Sequence, residues 1–201
     1  MGAHVVISGG QTMNPSTQDL LEGVRKLPVT EVIILPNNGN IVMAAGQAQA
    51  LASQEDKHVV VVPSKSVPQG ISALLALNPH ASLDTNVRAM QAALKSVETG
   101  EVTVAVQDAA FDGIQVHAGD VIGLLNDTLT TTGPDAASVA ATLLEQMHAA
   151  DLEVITLYYG APVTEGDALA LQAVLRDRYP EQEIEVVAGG QPFYHYIISA
   201  E

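Results

Sequence analysis

The sequence has no cysteine and no tryptophan, only 3% aromatic residues, and eight lysines and arginines among 201 residues. Without cysteine neither a disulfide framework nor a thiolate metal site can form, and the cytoplasm is the expected compartment. No uninterrupted apolar stretch approaches the ~18–20 residues that a membrane helix needs, and no basic segment followed by an apolar one opens the chain. Membrane insertion is therefore not expected. The shortage of bases leaves 23 acids and a net charge of -15, unevenly distributed. Residues 1–100 hold seven acids against six bases, and residues 101–201 hold sixteen against two. Such a surface repels phosphate backbones and anionic lipid heads, which argues against nucleic acid and membranes and for a basic protein partner. Acidic residues also keep a domain soluble, but solubility does not require one half to be neutral.

What is present reads as alternating strands and helices. Val5, Val6 and Ile7 form an apolar run entering the corner Ser8–Thr17, where Gly9 and Gly10 permit a tight turn and a helix begins over Asn14–Asp19. Ser16 and Asp19 resemble a capping box, and Leu20, Leu21, Val24 and Leu27 then share a helical face. The runs Val32–Leu35 and Val59–Val62 each lead into a polar loop and another apolar helical stripe. Continuous apolar strands between helices imply a parallel sheet covered on both faces. Near Gly100 the pattern changes to short alternating runs, Val102–Val106, Ile114–Val116, Val121–Leu125 and Thr128–Thr131, a β-meander. Helical and strand signals then return, with Thr164 and Asp167 as a second capping-box-like pair. The fold class is thus α/β. A first subdomain over residues 1–99 is a parallel sheet flanked by helices, and a second, strongly acidic one over residues 100–201 is a meander plus α/β units. The boundary is placed at about residues 97–101.

The sequence has no Walker loop, dinucleotide fingerprint, nucleophile elbow or His-Glu-x-x-His. Its six histidines lack metal-ligand spacing, so no catalytic and no metal residue is assigned. The polar loops are the candidate ligand site: Gln11, Thr12 and Asn14 on the first, Asn37, Asn38 and Asn40 on the second, and Lys65, Ser66 and Gln69 on the third. All are expected at the carboxyl edge of a parallel sheet above helix N-termini, where amides, hydroxyls and one lysine suit a carboxylate. The same residue types also cap helices and shape turns without binding anything. Gly189-Gly190-Gln191-Pro192 repeats the glycine corner near the end and adds Gln191 to these loop residues.

Four separated motifs occur in order: Gly9-Gly10-Gln11-Thr12-Met13-Asn14-Pro15-Ser16-Thr17, Ile34-Leu35-Pro36-Asn37-Asn38, Val62-Pro63-Ser64-Lys65-Ser66-Val67-Pro68-Gln69-Gly70, and Gly189-Gly190-Gln191-Pro192 with Ile197-Ile198-Ser199. Together they resemble the C-terminal region of the dihydroxyacetone-kinase-like proteins that include the A-type component of bacterial fatty acid kinase. The resemblance implies two subdomains like the DegV-like, fatty-acid-binding B subunit. It also implies kinase and central domains elsewhere in the same polypeptide, with ATP and magnesium held there and no cofactor in this chain. Sequences of this family usually carry another strand and helix before the segment matching Gly2–Gly10. The chain here begins at that segment, so the first subdomain is either truncated or completed differently, and its sheet is expected to lack an edge strand.

The leading expectation is a non-catalytic module that docks a basic face of the loaded B subunit. The candidate contacts are Asp108, Asp112, Asp120, Asp127, Glu165, Asp167, Glu181, Glu183 and Glu185. The alternative is a small-ligand or fatty-acyl-binding domain using the polar loops. An independent phosphotransferase is the reading that the sequence supports least.

Overall fold

A computed structural model describes residues 2–9, 13–111 and 113–201. It divides into two compact units, Met1–Ser96 and Val97–Glu201.

In the first unit, helix α1 (Thr17–Arg25) starts at Ser16. Its Oγ accepts from the Asp19 N–H at 3.2 Å while Asp19 Oδ2 accepts from the Ser16 N–H at 2.8 Å, a reciprocal capping box. Strand β1 (Glu31–Ile34), helix α2 (Val42–Ala52), strand β2 (His58–Val61), helix α3 (Val67–Leu75) and helix α4 (Leu83–Ala93) follow. β1 and β2 pair in parallel, Val32 opposite Val59. Leu21, Val24, Val32, Ala52 and Val59 form one packed cluster, and Leu20, Ile41, Ala45 and Ala48 another. Alanines at 45, 48 and 52, all fully buried, give α2 a flat side against its neighbours.

The expected strand Val5–Ile7 does not form among the described residues. Val6 is 82% exposed, and only Ile7 reaches the core. It lies against α1 where a methyl group on Gly23 would sit 2.6 Å from Ile7 Cδ1. Val5 Cγ1 lies 3.7 Å from the same methyl position, so two of the three apolar side chains hold the segment to the helix without a ladder. The first unit's parallel sheet accordingly has two described strands, not three.

The second unit contains β3 (Glu98–Val104), β4 (Ala109–Phe111), β5 (Ile114–Val116), β6 (Val121–Leu125), β7 (Thr128–Gly133), α5 (Ala136–Gln146), β8 (Val154–Tyr159), α6 (Glu165–Arg178), β9 (Glu183–Ala188) and β10 (Tyr194–Ala200). Six of these strands form one mixed sheet in the order β7-β6-β3-β10-β8-β9. Only β8 and β9 are parallel neighbours. Helices α5 and α6 pack on one face, where Val102, Leu143, Leu144, Ile155, Leu157 and Ile198 are nearly or wholly shut from water.

The expected meander is interrupted. β4 and β5 pair only with each other, while β3 pairs with β6 across them. The ladder continues past the sheet through Ala105 N–H to Asp120 O (2.9 Å) and Gly119 N–H to Ala105 O (2.8 Å). The described residues of 105–119 therefore form a hairpin arm at the end of β3 and β6. β10 also carries a bulge between Tyr194 and Tyr196, so His195 breaks the simple alternation read from the sequence.

Two glycines give opposite predictions. A methyl group on Gly160 would lie 2.0 Å from the Tyr194 carbonyl oxygen, whereas one on Gly46, within α2, meets nothing within 4 Å. Gly160→Ala should cost about 2–3 kcal/mol, and Gly46→Ala should add about 0.5–1 kcal/mol through helix propensity. Urea-unfolding midpoints of the two variants check both signs.

Candidate functional site

The second and third polar loops of the first unit lie at the carboxyl ends of β1 and β2 and are cross-linked there. Asn37 adopts φ 57°, a left-handed conformation that asparagine tolerates. This places its backbone and side chain on Ser64, whose fully buried hydroxyl accepts from the Asn37 N–H at 3.0 Å and donates to Asn37 Oδ1 at 2.7 Å. Glycine at position 70 leaves room for this side chain: a methyl group there would lie 2.0 Å from Asn37 Oδ1 and would push it off Ser64. Asn38 Oδ1 accepts from the Asn40 N–H at 2.8 Å, capping the short 3-10 turn Gly39–Ile41. Ser66 caps α3 through the Gln69 N–H, while Gln69 Oε1 accepts from the Lys65 N–H at 2.8 Å. These amides and hydroxyls hold the loops together. Asn14, Asn40 and Lys65 are exposed, and Gln11 and Thr12 lie outside the described residues. Gln191, in the second unit, donates to the Tyr158 carbonyl at 2.7 Å, and its own carbonyl accepts from the Ala161 N–H at 2.9 Å. It builds the glycine corner beside β8.

The carboxylates divide with the units. The first unit has six acids and six bases and is formally neutral; the second has seventeen acids and two bases, the whole net charge of -15. Both of its bases are engaged: Arg178 pairs with Glu145, and Arg176 donates to the Ile184 carbonyl at 3.2 Å. β3 and β8 run in the same direction because both are antiparallel to β10. Their carboxyl ends therefore gather Asp108 and Asp120 at the base of the arm with Glu165 and Asp167 at the start of α6. Asp108 Oδ1 accepts from the Ala118 N–H at 2.9 Å and Asp120 Oδ2 from the His117 N–H at 2.8 Å, fastening the arm. Asp167 accepts from the Thr164 hydroxyl at 2.6 Å in the α6 cap.

The opposite end of the sheet holds Asp127, in the left-handed turn between β6 and β7, with Glu181 and Glu183. Glu183 and Glu185 share one face of β9 and, with Gln172 and Arg176, line an open groove of about 530 Å³ along that edge strand. The candidate acids thus form no single cluster, and Asp112 lies outside the described residues. Among the described residues no three His, Asp or Glu side chains converge as a metal would require. No helix there is long and apolar enough to cross a membrane.

One carboxyl escaped the sequence reading. Glu101 alternates with Gly100 and Val102, so it lies on the sheet face away from α5 and α6, and its Oε2 is shut from solvent with no hydrogen-bond partner. Burial, and secondarily the charge of Asp127, push its pKa up to about 7. The alternation of Thr99, Glu101 and Thr103 against Gly100 and Val102 was the available signal.

This architecture is DegV-like. The Streptococcus pneumoniae fatty acid kinase B3 protein, solved loaded with linoleic acid, superposes with a TM-score of 0.65 at 13% identity, over 93% of this chain and 76% of that one. A fatty-acid-binding DegV family protein from Thermus thermophilus gives 0.63 at 17% identity, over 94% and 78%. The chain itself belongs to the FakA-like C-terminal family, the C-terminal part of proteins like the A-type component of fatty acid kinase, and the match covers residues 1–201. It is 46% identical over 201 residues to protein YloV of Bacillus subtilis (strain 168), and 39% identical to an uncharacterized protein of Staphylococcus aureus (strain USA300). The match takes in the whole of this chain but 36% of each of those relatives.

Glu101 yields a pH prediction. Its folded pKa lies above its ordinary value of 4.5, so folding favours the protonated form. The penalty is absent below about pH 4.5, grows as pH rises, and is complete above about pH 7, where it amounts to roughly 3 kcal/mol. Glu101→Gln should stabilise the protein at pH 8, leave it nearly unchanged at pH 4, and flatten the curve between, as followed by urea unfolding across that range.

Proposed function

We propose that this chain is the non-catalytic docking module of an A-type fatty acid kinase protein, receiving a fatty-acid-loaded B-type protein through its acidic second unit. ATP, magnesium and phosphoryl transfer to give the acyl phosphate belong, on this reading, to kinase and central domains elsewhere in the same cytoplasmic polypeptide. The observation that carries it is the charge partition: -15 on one unit, none on the other, with both arginines of the acidic unit engaged within it. A partner with a basic face is the complementary chemistry. Exposed ion pairs contribute only ~0–1 kcal/mol each, so the field steers and orients the partner more than it holds it.

A fatty-acyl-binding role for the polar loops is the second reading, favoured by fold relatives that carry fatty acids. Against it, Asn37, Ser64, Ser66 and Gln69 bond one another or their own backbone. Native mass spectrometry of the purified chain separates the two, since a co-purified fatty acid would favour the second.

Sedimentation velocity of the chain with a fatty-acid-loaded B-type protein tests the docking reading. A complex at low salt should weaken at least tenfold near 1 M salt, where the Debye length falls to about 3 Å. Sedimentation as separate species at both salts would contradict it.

A further inference from the structure

The second unit leaves large apolar side chains in water, and they are not spread evenly. Val104 ends β3, Val106 and Phe111 belong to the arm, Phe193 precedes β10, Val187 lies near the end of β9, and Leu169 is in the second turn of α6. The strand directions bring all six to the same end of the sheet, the carboxyl end of β3 and β8. Among the described residues of this unit only Val174, in the middle of α6, is exposed and apolar elsewhere. Val106 is 94% exposed, and Phe111 and Phe193 are each about half exposed, at 51% and 52%. Phe193 is held there because the Thr103 hydroxyl donates to its carbonyl at 2.7 Å.

The opposite end has acids and no exposed large apolar side chain among the described residues. Charge therefore does not distinguish the two ends, but apolar exposure does. Exposed aromatic and aliphatic groups bordered by charge have the composition of a protein interface, with an apolar centre and a polar rim.

We infer that the carboxyl end of this sheet is the docking surface itself. Phe111, Phe193 and Val106 form the centre of the contact, and Asp108, Asp120, Glu165 and Asp167 form its rim. The occupant is a protein whose own apolar contact is ringed by lysine or arginine, since the formal charges of the rim are all carboxylates, with the exposed His117 imidazole 3.6 Å from Asp120. This rests on the docking reading above and adds to it a location and an apolar component that salt does not screen.

Titration calorimetry of the chain with a linoleate-loaded B-type protein tests the location. Phe111→Ala with Phe193→Ala should weaken binding at least tenfold at low salt, and the apolar contribution should persist in high salt. Val106→Ser, at a side chain with almost no packing to lose, should weaken it in the same direction, which guards against misfolding of the double variant. Glu181→Lys with Glu183→Lys, at the far end, should have the smaller effect. If the wild-type chain binds, the apolar variants bind equally well and the far-end reversal abolishes binding, the location is wrong and the docking reading stands. If the wild-type chain does not bind at any salt, both fall.

Discussion

The second unit depends on β10, the last strand in the sequence and a central one in the sheet. It pairs with β3 on one side and β8 on the other, and Tyr196, Ile198 and Ala200 are buried in the core below it. Because both neighbours are antiparallel to it, they run together, and their loops emerge at one end. The arm after β3, the corner after β8 and the Gln191 turn before β10 are brought to a common edge by that pairing alone. Long-range pairing of this kind also closes a loop of nearly the whole unit, so the sheet cannot be completed before its final strand arrives.

On this frame the unit carries an uncompensated charge. Self-repulsion opposes compactness, and the continuous apolar layer between the sheet and α5 and α6 must offset it. Gly100 and Gly123 show how closely that layer is packed: methyl groups there would lie 2.6 Å from Met147 Cε and 2.8 Å from Val139 Cγ1 of α5. The first unit, with balanced charge and loops bonded to one another, has no such imbalance to explain.

Local features were legible in the sequence because they depend on neighbours. Ser16 with Asp19 and Thr164 with Asp167 cap helices where their three-residue spacing put them. Of the helical stripe read through Ile41, Ala44, Ala45, Ala48, Leu51 and Ala52, four side chains are buried as its periodicity required, Ala44 is half-buried and Leu51 is exposed. What failed depended on distant partners. Val5–Ile7 has strand composition but no described strand beside it; Ile7 reaches the core, Val5 touches α1 and Val6 is left in water. The meander looked continuous because β3, β5, β6 and β7 have similar local patterns; β4 was not read as a strand, and nothing local says that β3 skips to β6. Ser64 is a buried hub only because Asn37, 27 residues earlier, folds onto it. The candidate acids were identified by charge alone, which could not reveal that they divide between two ends of one sheet.

Hydrogen–deuterium exchange of the chain, free and bound to a fatty-acid-loaded B-type protein, tests the claim that the acidic unit is the receiving surface. Docking predicts slowed exchange in the arm over residues 105–119 and in the corners over residues 160–167 and 189–193, with the loops over residues 37–40 and 63–69 unchanged. Slowed exchange confined to those first-unit loops would contradict it and would place the contact on the neutral unit.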